Sequence, residues 1–178
     1  MRNPEIEARC QRFLDALAHI RKLGLRVIQA DERRVTLVLP VQEQLACGKT
    51  KTYLLGGALT TLIDTASAVS TLCVLPEFEI APTLDLRIDH MKSPAHSQPL
   101  YIQAECYRTT RSVMFTRATV YQTSVDEPVA FGIGTFMRLG TEVVDPKMRA
   151  VVEGEIERYE DDYPAKDQPP QDKREANA

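Results

Sequence analysis

A chain of 178 residues with a formal net charge of −3 has the size of a single domain with a sizeable core. That charge gives no sign of a nucleic-acid binder, and Cys10, Cys47, Cys73 and Cys106 are too widely spaced for zinc or redox motifs. Scattered cysteines behind an N-terminus with no apolar secretory stretch fit a reducing cytoplasm.

Pro4 follows a potential Asn3 cap, and Ile6, Cys10, Phe13, Leu14, Leu17 and Ile20 recur at helical spacing. This predicts an amphipathic first helix ending near Gly24. Residues 25–30 and 35–39 read as two short strands joined by Asp31-Glu32-Arg33-Arg34. Residues 40–54 read as a polar loop.

Gly56-Gly57 then opens a small-residue, apolar helix predicted to run to Leu75 and stop at Pro76. Asp64 and several Thr and Ser residues argue against a membrane span, because a charge at the bilayer centre is costly. Asp64 lies seven residues after Gly57, nearly two turns, so the carboxylate sits about 20° from the face that starts at Gly57. That face combines unpaired N–H groups at the positive helix end with an acid or base further along. A helix terminus can stabilise an oxyanion, and a carboxylate can attack or activate water. The combination suits acyl transfer.

Residues 83–91, 100–107, 112–122 and 129–138 alternate with period two between turn signals. In the first run Leu84, Leu86 and Ile88 share the apolar face. With no helix between these runs, an antiparallel meander is expected, covered by the long helix. Gly132 and Gly134 share one strand face, where they allow the helix or another backbone to approach closely. Residues 146–159 predict one more helix, and the remainder reads as a partly disordered acidic tail. The domain is thus expected at residues 1–140, with the final helix and tail at 141–178.

The Gly56-Gly57 helix start, Asp64, Thr83 through Asp89, Met91-Lys92-Ser93-Pro94-Ala95, Arg111-Ser112-Val113 and Gly132 through Phe136 together resemble the hotdog fold. This is an α+β arrangement in which an antiparallel sheet wraps a long helix. More narrowly, the ordered set is similar to PaaI-type acyl-CoA thioesterases. The resemblance implies that Gly57 donates the N–H that polarises the thioester carbonyl. It implies that Asp64 is nucleophile or general base, and that Thr83 orients the attacking water. It implies a homodimer or homotetramer with its site across a subunit interface, and an acyl-CoA substrate with no cofactor. Gly56 and Leu55 would flank that substrate. Lys92, Arg108 and Arg111 are basic turn residues that either meet CoA phosphates or face solvent, and Ser112 either joins them or satisfies a turn.

One departure stands out. The family usually has His immediately before the Gly pair, and this chain has Leu55. The loop before the helix offers Gln42, Gln44 or Lys49 where relatives often place an Asn or Gln facing the substrate. From Glu153 onward nine acidic residues face four basic ones. The body is therefore mildly basic, which either favours an anionic ester or reflects only a solvated acidic tail. Two function classes remain: acyl-CoA hydrolysis, and non-catalytic acyl-CoA binding favoured by Leu55. A hotdog hydratase would pair His with an acid, but Asp85 and His90 point to opposite strand faces. No G-x-S-x-G elbow and no His and carboxylate cluster with metal spacing occurs.

Overall fold

The computed structural model describes residues 2–49 and 52–157. In chain order it has α1 (Pro4–Ala16), α2 (Ala18–Leu23), β1 (Arg26–Ala30), β2 (Arg34–Leu39), β3 (Ala46–Cys47), β4 (Tyr53–Leu54), α3 (Gly56–Leu72), β5 (Thr83–His90), β6 (Leu100–Thr109), β7 (Val113–Tyr121), β8 (Ala130–Met137) and α4 (Pro146–Glu153). One six-stranded antiparallel sheet has the order β1-β2-β6-β7-β8-β5, and β3 with β4 forms a separate two-stranded ribbon. The sheet curls around α3, which lies against β2, β5, β6, β7 and β8. This is the hotdog architecture expected from the sequence.

The helix sits at the centre because its apolar side chains have nowhere else to go. Leu59, Leu62, Ile63, Val69 and Leu72 are all at most 2% exposed, and each such burial contributes roughly 1.5–3 kcal/mol. Close approach to the sheet depends on Gly132. A Cβ there would lie 2.4 Å from Ile63 Cγ2. Gly134 serves side-chain packing instead, against Phe136, Thr116 and Leu86.

Several expectations need correction. The first helix is two helices, because Leu17 is extended (φ −95°, ψ 107°). Leu14 and Ile20 are buried on either side of that bend. The loop of residues 40–54 contains a 3-10 turn at Glu43–Leu45 and the β3–β4 ribbon. α3 ends at Leu72, one turn early.

The meander fails for β5, which pairs with β8 at the sheet edge and not with β6. The nine residues between β5 and β6 reach about 30 Å when extended. That exceeds the ~14 Å across three strand spacings. The Ser93-Pro94 turn thus belongs to a crossing, passing the helix start where Leu54 N–H donates to Pro94 O and His96 N–H to Thr52 O. A bulge between Thr83 and Asp85 takes Leu84 out of register, and Leu84 is 54% exposed. Leu86 and Ile88 do pack on the core.

α4 stops at Glu153, where Gly154 takes a positive φ. It packs on α1, and Val152 is fully buried in the main core. Tyr159 and the acidic tail lie outside the described residues. Among the described residues, no helix is long and apolar enough to cross a membrane.

Candidate active site

α3 starts without a side-chain cap. Leu55 occupies the N-cap position, contributes no side-chain hydrogen bond and is 47% exposed. The Gly57 N–H makes no hydrogen bond among the described residues. A Cβ on Gly56 or Gly57 would meet nothing within 4 Å. Neither glycine is therefore required by the packing of a single chain. Both leave the positive end of the helix bare to whatever approaches it. Thr60 and Thr61 return their hydroxyls to the Gly56 and Gly57 carbonyls, so they do not compete for that space.

Two turns further on, Asp64 is half-buried on the same face. The Thr83 hydroxyl donates to Asp64 Oδ1 at 2.8 Å. β5 supplies that hydroxyl from its first residue, which is anchored where Met137 N–H donates to Pro82 O. Asp64 differs from the structural acids of this chain. Glu79, Glu105 and Glu153 each bind an arginine: Arg138, Arg117 and Arg9 respectively. Asp64 has no ion-pair partner among the described residues. A carboxylate accepts about four hydrogen bonds, so acceptor capacity remains for water or a reacting group.

The other candidates fall into two groups. Lys92 lines a cavity of about 410 Å³ together with Gly56, Leu59, His90 and Pro94, beside the helix start. Arg111 and Ser112 are exposed in the β6–β7 turn, where Ser112 O accepts from Arg138 N–H. That turn is at the Thr83 end of the sheet, since Val113 and Phe136 lie opposite Met137 and Thr83. Lys92 follows the other end of β5, about 23 Å away for a strand of this length. One chain therefore does not gather Lys92, Arg111 and Ser112 around one phosphate. Arg108 is exposed near the end of β6.

Gln42 is occupied elsewhere. Its amide donates to Leu23 O at the end of α2, and its Oε1 accepts from Gln44. Lys49 is exposed beside the positive-φ turn at Gly48. The contact that sequence spacing could not supply is the Thr83–Asp64 pair, which joins residues 19 positions apart. In the sequence it was signalled only by the family resemblance, which matched Thr83 to a water-orienting hydroxyl.

Two of the buried cysteines are unsuited to nucleophilic chemistry. Hydrogen bonding with Cys10, together with burial, pushes the Cys73 thiol well above its usual range, and burial raises that of Cys106. Among the described residues, no three His, Cys, Asp or Glu side chains are grouped to hold a metal ion.

Residues 52–129 match the family model described as thioesterase superfamily. A Pseudomonas aeruginosa protein of solved structure is 48% identical, with a TM-score of 0.70 over 75% of this chain and 99% of that one. The Escherichia coli PaaI protein, from the phenylacetic acid degradation operon, shares the fold at 18% identity. Its TM-score is 0.67 over 79% of this chain and 97% of its own. A hypothetical thioesterase from Streptococcus pneumoniae, solved with coenzyme A, is 18% identical. It has a TM-score of 0.58 over 65% of this chain and 86% of that one. A search of curated proteins finds no match.

Proposed function

The chain belongs to the thioesterase superfamily, and we propose that it hydrolyses acyl-CoA thioesters to the free acid and CoA, with Asp64 as the essential carboxylate. The observation that carries this reading is the Thr83–Asp64 hydrogen bond on the helix face that begins with the bare Gly57 N–H.

In the proposed reaction the thioester carbonyl oxygen accepts a hydrogen bond from Gly57 N–H. Asp64 removes a proton from a water held by Thr83, and that water forms the new C–O bond. The oxyanion collapses, the C–S bond breaks, and the proton returns to the departing CoA sulfur. Direct attack by Asp64, followed by hydrolysis of the acyl-enzyme anhydride, uses the same groups. Both routes require the carbonyl to touch an N–H and a carboxylate at once.

Within one chain those groups are about 10 Å apart along the helix, at 1.5 Å per residue. Gly57 of one copy therefore works with Asp64 and Thr83 of another in this proposal, in a homodimer or homotetramer. The same exchange brings Lys92 of one copy toward the other copy's Arg111 and Ser112. The Streptococcus pneumoniae structure holds coenzyme A, which supports a CoA ester as the substrate class.

Leu55 favours a second reading. An exposed aliphatic side chain stands where the family usually has His, which suits acyl-CoA binding without turnover. A thiol-release assay over aliphatic and aryl CoA esters, with Asp64→Asn in parallel, separates the two. Hydrolysis by wild type that falls at least 10²-fold in the variant, the range of general acid–base catalysis, is the expected result. Equal turnover by both would remove Asp64 from the mechanism. No turnover by either, with CoA esters still bound, would leave the binder.

A further inference from the structure

Beyond Asp64 the same helix stripe continues through Ala68 to Thr71 and leads to a cavity of about 270 Å³. Phe13 and Leu17 line it from the α1–α2 corner, Phe78 and Ile80 from the segment after α3, and Met148 from α4. Pro82 borders it as well, and the next residue, Thr83, donates to Asp64. Ala68 is one turn from Asp64, about 6 Å along the axis. A carbonyl carbon poised at Asp64 would thus have this cavity as its neighbour on the helix.

The cavity suits an apolar guest. Its two polar lining side chains are already satisfied. The Thr71 hydroxyl donates to Ala68 O, and both carboxylate oxygens of Glu79 accept from Arg138. A polar guest would lose hydrogen bonds to water and find no partner here. An apolar cavity of ~150 Å³ holds benzene. This one has room for a phenyl ring with several further carbons, or for an aliphatic tail of similar bulk.

We propose that this cavity receives the acyl tail of the substrate, so that α1 and α4 determine chain-length preference in favour of medium-chain or aryl-substituted acyl groups over acetyl and long-chain ones. The inference rests on the reading of Asp64 as the reacting carboxylate. Phe13, Leu17 and Met148 lie outside residues 52–129, the part matched by the family model. The specificity elements are therefore contributions of this chain's flanking helices.

The test uses the full chain and CoA esters from acetyl through octanoyl to palmitoyl, with phenylacetyl-CoA included. Turnover is read by thiol release, and binding by calorimetry on Asp64→Asn. Ala68→Leu narrows the cavity and Met148→Ala widens it, with circular dichroism confirming the fold of each. The octanoyl-to-acetyl ratio of kcat/KM is expected to fall at least tenfold in Ala68→Leu, and the optimum to move to longer chains in Met148→Ala. Hydrolysis whose chain-length profile ignores both folded variants overturns the cavity inference and leaves the hydrolase reading intact. Absence of hydrolysis, with tighter binding of octanoyl- than acetyl-CoA that Ala68→Leu abolishes, supports the cavity and overturns only hydrolysis. Binding that is insensitive to the acyl group overturns the cavity.

Discussion

The two ends of α3 are treated in opposite ways. At its C-terminal end the helix is held from a distance by Arg9 of α1, which is buried and donates to Leu72 O at 3.3 Å and Leu75 O at 2.7 Å. The same guanidinium meets Glu153 of α4 at 2.8 Å, and Glu153 also accepts from Phe78 N–H at 2.6 Å. A cation at a helix C-terminus complements both the dipole and the unpaired carbonyls. At the N-terminal end there is no side-chain cap, two glycines face open space, and the first charged group on that face is Asp64. The difference teaches where this fold satisfies its own backbone and where it leaves it open. Backbone groups that the chain satisfies itself serve stability, whereas those left bare on the face that also carries Asp64 are the ones the proposed reaction uses.

Asp64→Asn breaks the comparison most sharply if it is wrong. It should remove at least ~3 kcal/mol of transition-state stabilisation, the energy equivalent of a hundredfold rate loss. The urea midpoint should stay close to wild type, since the side chain's one hydrogen bond can be kept by an amide oxygen. A large loss of stability would make Asp64 a structural acid.

At the other end, Arg9→Met should lower stability by ~2–4 kcal/mol, because it leaves two carbonyls and a partly buried carboxylate without their partner. Equilibrium urea unfolding reads this, and an unchanged midpoint would mean that water caps α3 equally well.

A matched pair of glycine substitutions sharpens the contrast. Gly132→Ala forces a Cβ to within 2.4 Å of Ile63 Cγ2 and should cost ~1–3 kcal/mol by overpacking. Gly56→Ala meets nothing within 4 Å and should move stability by less than ~0.5 kcal/mol. An equal loss at both positions would mean that the partner copy of the proposed oligomer packs directly against Gly56, leaving no room there for a substrate.

Thr83→Val should have a smaller effect on activity than Asp64→Asn. Removing a single hydroxyl donor to a carboxylate should lower kcat about tenfold, equivalent to ~1.4 kcal/mol. KM should move little if the hydroxyl acts on the water and not on the ester. A rise in KM with kcat preserved would assign Thr83 to substrate binding instead.

The sequence by itself determined the parts that depend on local periodicity. The spacing of Gly57 and Asp64 fixed them on one helix face, because 3.6 residues make a turn regardless of what surrounds the helix. The alternation of Leu100, Ile102, Ala104 and Cys106 likewise fixed their shared face, and all four are buried. Gly132 was legible as a point of close approach, although its partner Ile63 was not.

Strand order, by contrast, carries no local signature. β5 alternates as it would beside β6 or beside β8, and only burial of the whole sheet around α3 puts it at the far edge. The Thr83–Asp64 bond depends on that placement, and so does the distance that keeps Lys92 from Arg111. The Arg9 cap and the diversion of Gln42 to Leu23 O join other segments far apart in sequence. Tertiary structure decided them because each joins segments whose separation in sequence exceeds the reach of any periodic pattern.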